Sequence, residues 1–395
     1  MSFNKLDKKT PFCPGNTVSY ECFVGRKNII DDIIKYLPTI YDGKNRHFFL
    51  VGKRGMGKSS LSSLIAFIME KKYNMLPIIV SNDGVTTLDE LITKIIESLI
   101  NKISNQSWAK KIIHGFGEHV ESVGYMGLNL KFHPKNDNFL KAIKEDFPLF
   151  IKNICQDIKD KDGIFIIIDD VNGLSSTFEF VNWYKAFVDN MTMRYDGETP
   201  VGFLLTSYPE NLEKLNRQNS SFSRIFYHFD VDSLETNETK EFYVKHFQKV
   251  GITYDQESIN LLSKYCYGVP LMMQELGERV FWKCENNILD INTAIKTIQS
   301  TNTVIRDKYL DSLITDPIYS NILEKISNII TPNKDNFSIK ELKTNSTTEE
   351  EDLINIFILE AQKRGIIIGE EYGFKDECRF INPLYSIYLR NKHFI

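Results

Sequence analysis

Apolar, β-branched and aromatic residues gather in short runs at 48–51, 76–81, 164–168, 201–206 and 225–231, which reads as five strands. Between and before these runs the apolar positions change period. Ile29, Ile30, Ile33, Ile34 and Leu37 recur at helical spacing within 27–37, and helical patterns cover 59–72, 87–103, 138–159 and 178–194. Strands alternating with helices imply parallel βαβ units, and hence a three-layer α/β domain built on a parallel sheet.

The pattern lapses at 105–135, where Gly115, Gly117, Gly124 and Gly127 precede an alternating stretch at 128–132 that suits a short hairpin. We read this segment as an insertion. After Asp230 the spacing is helical to about residue 330, broken at Gly251 and at 268–270. From Phe337 two short helical patterns (338–343 and 349–363) lead into Gly365-Ile366-Ile367-Ile368-Gly369 and Glu371-Tyr372-Gly373-Phe374, then a strand at 379–381. Helix, helix and hairpin is the outline of a winged helix. The chain therefore divides into an extended, polar arm (1–22, with Pro11, Pro14 and Gly15), an α/β core (23–230), a helical lid domain (231–330) and a winged-helix domain (331–395).

The chemistry sits at the ends of the strands. After the first strand comes Gly52-Lys53-Arg54-Gly55-Met56-Gly57-Lys58-Ser59, a complete GxxxxGK[ST] phosphate loop, followed by Ser60 and the helical pattern. Glycines let backbone N–H groups curl around phosphate oxygens, and the N-terminus of the following helix adds donors and partial positive charge. Lys58 is placed to reach the β- and γ-phosphates and Ser59 to ligate Mg²⁺. The third strand ends in Asp169-Asp170, a Walker B arrangement. Asp169 is the expected Mg²⁺ ligand, and Asp170 the acid that orients or deprotonates the lytic water. The fourth strand ends Leu204-Leu205-Thr206-Ser207, where Thr206 is the expected sensor hydroxyl and Ser207 an alternative. Arg224, just before the fifth strand, is a candidate arginine finger, in trans if the chain assembles. ATP and Mg²⁺ are the expected cofactors.

Composition narrows the setting. The chain of 395 residues is 42% hydrophobic and 25% charged, with net charge −4, so no global basic field invites nucleic acid or anionic membrane. The six cysteines are scattered without metal-ligand spacing, which suits reduced thiols. No stretch approaches 18 consecutive apolar residues and the first residues lack the apolar core of a secretory signal, so a cytoplasmic protein without a membrane span is expected.

Phe23-Val24-Gly25-Arg26, then an amphipathic helix, then the phosphate loop, resembles the opening of the related AAA+ and STAND ATPases. The resemblance implies that Val24, Gly25 and Arg26 lie against the adenine. Asp169-Asp170-Val171 is similar to the STAND form of Walker B. Tyr267-Gly268-Val269-Pro270-Leu271 resembles the Gly-x-Pro-Leu motif of the helical domain, which implies a nucleotide contact near Pro270. A winged helix after the helical domain fits STAND proteins, archaeal-type ATPases and origin-recognition initiators alike. Two departures stand out. Ser207-Tyr208 replaces the Thr-Arg pair common at the STAND sensor, and Leu271-Met272-Met273 follows Pro270 where initiators carry a second sensor arginine, the nearest here being Arg279.

The expected function is an ATP-binding and hydrolysing conformational switch that self-associates and regulates a partner protein, with a prokaryotic defence or regulatory system as one setting. The alternative is a DNA-binding ATPase of initiator or loader type. From 338 to 395 the chain carries eight Lys/Arg against ten Asp/Glu, and 349–352 is an acidic run at the start of the candidate recognition helix. Such a surface disfavours phosphate docking and favours a protein partner.

Overall fold

The structure, a computed structural model, describes residues 9–103, 137–158, 160–331, 334–369 and 377–392. The expected insertion at 105–135, its hairpin at 128–132 and the run at 371–374 lie outside the described residues. The chain forms two compact units, one of residues 26–52 and 58–231, the other of 1–25, 53–57 and 232–395.

The first unit is built on a five-stranded sheet of β1 (Arg46–Val51), β2 (Met75–Ser81), β3 (Gly163–Asp169), β4 (Val201–Ser207) and β5 (Tyr227–Asp230). The strand order is β2-β3-β4-β1-β5 and every neighbouring pair is parallel. Strands β1, β3 and β4 are buried almost end to end, which is why they read as unbroken apolar runs. The register sets Val51 beside Ser207, Leu50 beside Thr206 and Asp169 beside Ser81, so the functional residues share the carboxyl edge of the sheet. In an open α/β sheet that edge is where ligands bind.

Among the described residues eight helices accompany the sheet: α1 (Lys27–Ile34), α2 (Leu37–Tyr41), α3 (Lys58–Lys72), α4 (Leu88–Ile103), α5 (Asp137–Glu145), α6 (Phe147–Asp157), α7 (Phe178–Tyr195) and α8 (Pro209–Gln218). The pattern at 138–159 predicts one helix, but the chain makes two. Asp146 accepts the Leu149 N–H at 3.3 Å, and Pro148, which has no N–H to give, sits in the new first turn. The pattern at 27–37 is likewise split, with Pro38 in the first turn of α2. On one face of the sheet His47 is 4% exposed, its ring nitrogens 2.9 Å from the Tyr184 hydroxyl and 2.9 Å from Asn45 Oδ1. Burial, with Arg46 nearby, pushes its pKa down to about 3.

The second unit carries α9 (Thr236–Lys249), α10 (Gln256–Tyr265), α11 (Pro270–Lys283), α12 (Ile291–Tyr309) and α13 (Ser320–Ile329). The expected breaks fall where α9 ends and α11 begins. Two-residue strands β6 (Thr253–Tyr254) and β7 (Ile288–Leu289) pair in parallel. Beyond them lie β8 (Asn336–Ser338), α14 (Ile339–Lys343), α15 (Thr348–Lys363), β9 (Ile367–Ile368), β10 (Glu377–Phe380) and α16 (Pro383–Lys392), the three strands forming an antiparallel sheet in the order β8-β10-β9. Phe337, Leu342, Phe357, Ala361 and Phe380 are among its core residues. One ridge of α15 faces outward, with Glu349, Asp352 and Lys363 exposed and Ile356 and Leu359 more than half exposed at 51% and 53%.

The arm belongs to this unit. Phe12 is 3% exposed, stacked on the His246 ring at 5.1 Å and packed on Phe242 and Phe247 at 5.9 and 5.8 Å. Gly277 of α11 makes room for it, since a Cβ there would lie 2.2 Å from the ring. Cys13 N–H donates to Gln274 Oε1 at 2.9 Å, Lys245 to the Phe23 carbonyl at 3.3 Å, and Lys249 pairs with Glu21 at 3.1 Å.

Candidate functional site

The phosphate loop bends where its glycines allow. Gly55 and Gly57 both have φ +82°, a region that side chains strain. Gly52 N–H donates to the Ser207 carbonyl at 3.3 Å, tying the start of the loop to the end of β4. Helix α3 begins at Lys58, so its first N–H groups, Ser59 among them, have no acceptor within the helix, the arrangement that suits an anion. Lys58 Nζ donates to the Gly52 carbonyl at 2.6 Å and lies 4.3 Å from the centre of the Tyr208 ring. Ser59 is exposed on the first turn, while Ser60 turns inward at 9% exposure.

At the end of β3 the two aspartates are held differently. The Thr206 hydroxyl donates to Asp169 Oδ1 at 2.7 Å and accepts the Asp170 N–H at 2.8 Å, so one side chain on β4 fixes both acids. Asp170 has φ +70°, an uncommon backbone state for an aspartate and one associated with functional sites. Its Oδ1 accepts the Asn172 N–H at 3.0 Å and also the Asn172 Nδ2. Burial pushes its pKa up from the ordinary value. Asp169 and Asp83 add to this, while the Asn172 hydrogen bond and Lys58 oppose it. Asn82, 1% exposed, donates from its backbone to the Asp169 carbonyl at 2.9 Å and from Nδ2 to the Asp170 carbonyl at 3.0 Å. Its Oδ1 has no hydrogen-bond partner among the described residues.

Gly52, Lys58, Asp169, Asp170 and Thr206 thus converge at the carboxyl edge of the sheet. Arg224 does not join them. It is exposed on a 3-10 turn (Ser223–Ile225), with no contact to the cluster among the described residues. In the second unit, Val24 is 8% exposed, and Gly25 lies against Leu234 and Glu238, where a Cβ would meet both at 2.7 Å. Arg26, in the left-handed region at φ 63°, opens α1. The loop tip 53–57 packs within the second unit, where Gly57 and Pro270 are neighbours, the Gly55 carbonyl accepts the Leu271 N–H at 3.2 Å, and Met56 is buried at 6%. Lys53 forms an ion pair with Asp335. Three residues of this region take part without a role in the phosphate-loop or Walker B patterns: Asn82, Asn172 and Tyr208. Only the position of Asn172, two residues past Asp170 where an Asx turn forms, hints at its hydrogen bond.

No family model matches the sequence, and no curated protein matches it either. Solved structures do. A Walker-type ATPase of Pyrococcus abyssi aligns with a TM-score of 0.54 at 18% identity, over 93% of this chain and 96% of that one. The ORC2 protein of Aeropyrum pernix, in ADPNP–ADP complexes, aligns with a TM-score of 0.58 at 12% identity, over 98% and 96%. Its ADP form gives 0.53 at 11% identity, over 93% of each chain. At these identities the likeness is one of fold, the α/β fold of P-loop ATPases, and of nothing finer. Among the described residues no helix is long and apolar enough to cross a membrane.

Proposed function

We propose that this chain is an ATP-binding and hydrolysing conformational switch of the STAND/AAA+ type, which self-associates and regulates a protein partner. The observation that carries the reading is the convergence of Lys58, Asp169, Asp170 and Thr206 on one edge of a parallel sheet. The residues fit Mg²⁺ and a triphosphate: an ammonium at the start of a long helix, the exposed Ser59 hydroxyl beside it, and a carboxylate held by Thr206. When bound, the triphosphate would supply the reacting γ-phosphoryl group and Mg²⁺ the positive charge that offsets its negative charge in the transition state. Lys58 then binds phosphate oxygens in place of the Gly52 carbonyl. Ser59 and Asp169 would hold the metal, Thr206 would keep Asp169 aimed, and Asp170 would orient the lytic water and take its proton. Val24, Gly25 and Arg26 serve the adenine, Met56 and Ser60 flank the phosphates, and Arg224, exposed in the single chain, acts only across a self-association contact.

Two contacts within the second unit, the Gly55 carbonyl to the Leu271 N–H and Lys53 to Asp335, support the switch reading, since any change in the shape of 53–57 would alter them. We retain the division into arm (1–22), core (23–230), lid (231–330) and winged helix (331–395). The ridge of α15 favours a protein partner over duplex DNA. Its N-terminal turn is acidic and its middle offers Ile356 and Leu359, the reverse of a phosphate-seeking face.

The test is Lys58→Ala. Nucleotide binding, followed with a fluorescent ADP analogue, and Mg²⁺-dependent phosphate release should both drop by at least about tenfold. Equal binding and turnover in parent and variant would refute the site. Salt-sensitive duplex binding in a gel shift would transfer the winged helix to the DNA-binding alternative.

A further inference from the structure

Asn172 opens the 3-10 turn (Asn172–Ser176) that follows β3, and its side chain faces two ways. Towards β3, its N–H and its Nδ2 both donate to Asp170 Oδ1. Towards β4, its Oδ1 accepts three donors at 2.9 Å each: Ser207 Oγ, the Tyr208 N–H and Asn211 Nδ2. Tyr208 in turn lies beneath the Lys58 ammonium, and Lys58 reaches back to the Gly52 carbonyl. A single amide therefore closes a chain of contacts running Asp170–Asn172–Tyr208–Lys58.

We propose that Asn172 is a positioning residue that sets the Asp170 carboxylate against the β4 end carrying Tyr208 and Lys58. The inference rests on reading this cluster as a hydrolytic centre, and extends it to a residue with no role in the phosphate-loop or Walker B patterns. Two features call for such a clasp. Asp170 has φ +70°, in the left-handed region that aspartate tolerates better than most side chains, and the bond from the N–H two residues on stabilises that conformation. A carboxylate with free rotamers would also aim a water poorly. Only an amide has the required pair of faces: a donor for Asp170 and an acceptor for the three groups of β4 and α8.

Asparagine and aspartate have the same shape, so Asn172→Asp separates the two faces. The variant keeps an acceptor for Ser207, Tyr208 and Asn211 but sets a second carboxylate against Asp170. Asn172→Ser, which removes both the Nδ2 donor and the Oδ1 acceptor without adding charge, is the companion if the aspartate variant does not fold. We expect kcat for Mg²⁺-ATP to fall by about tenfold to a hundredfold in either variant, the scale of a catalytic group displaced by an ångström. KM and the affinity for a fluorescent ADP analogue stay within about twofold of the parent, because phosphate binding belongs to the loop and α3. A purely structural role would lower binding and turnover together. Asn211→Ala removes one β4-side donor and leaves the Asp170 clasp, so its kcat should drop by less than about threefold.

An unchanged kcat in both Asn172 variants, or a parallel loss of nucleotide affinity, overturns the proposal. If the parent hydrolyses ATP and Asp170→Asn slows it while the Asn172 variants do not, the Asn172 inference alone fails. If the parent releases no phosphate and Asp170→Asn changes nothing, the hydrolase reading fails and takes the inference with it.

Discussion

The arm gives the sharpest quantitative prediction, because one glycine and one phenyl ring occupy each other's space. A Cβ added at Gly277 would lie 2.2 Å from Phe12 Cε1, 2.5 Å from Cδ1 and 2.7 Å from Cζ. The ring cannot swing aside, since His246, Phe242 and Phe247 enclose it. Gly277→Ala must therefore expel Phe12. Removing a buried phenyl ring costs about 3–5 kcal/mol, and the same substitution returns about 1 kcal/mol of helix propensity inside α11, leaving a net loss of about 2–4 kcal/mol. In a Phe12→Ala background the obstacle is gone, only the propensity gain remains, and Gly277→Ala should stabilise by about 0.5–1 kcal/mol. The sign of one substitution thus reverses with the state of a residue 265 positions earlier in the sequence. Urea unfolding of the four chains of this double-mutant cycle measures the coupling, expected at about 3–5 kcal/mol. Limited proteolysis within residues 9–22 should show the arm released in either single variant. Equal destabilisation by Gly277→Ala in both backgrounds would refute the interlock.

Further predictions follow from buried polar groups. Thr206→Val keeps shape but strands the Asp170 N–H and one Asp169 oxygen, both served by the lost hydroxyl. It should cost about 2 kcal/mol, visible as a thermal midpoint lowered by about 4 °C or more, and unchanged melting would contradict the geometry. His47 and His246 have folded pKa values of about 3 and about 4, below the unfolded value near 6.5. The unfolded chain therefore takes up protons first as pH falls. Stability is complete above about pH 6.5 and is lost on acidification at about 1.4 kcal/mol per pH unit for each histidine, levelling off near its folded pKa. Urea midpoints between pH 7 and 4.5 check this, and His47→Gln should flatten the dependence for the α/β unit.

The strands were legible because a parallel sheet buries both faces, so β1, β3 and β4 announce themselves as continuous apolar runs. The phosphate loop and Asp169-Asp170 were legible for a related reason, as their chemistry is fixed by spacing along the chain. Helix boundaries were less so. The apolar period runs on through Asp146 and Pro148, and only the cap geometry breaks it there. β8 was missed because three residues, Asn336-Phe337-Ser338, are too few to show a period. The Asn172 network was illegible on principle: its partners at 207, 208 and 211 become neighbours only when β3 and β4 pair. The burial of Phe12 depends in the same way on a helix far along the chain.

The bond between Gly55 and Leu271 has a consequence for how α11 begins. Proline at its first position has no N–H, and Val269, the residue before it, has no side chain able to cap a helix. Leu271 N–H, one of the orphan donors of that first turn, finds its acceptor in the phosphate loop itself. The loop is thus the N-cap of a helix more than 200 residues away in sequence. A helix start that loses its acceptor frays, and fraying is measured amide by amide through hydrogen exchange. The amide of Leu271 becomes a built-in reporter: whatever turns the Gly55 carbonyl elsewhere should speed exchange at that position while the middle of α11 stays protected.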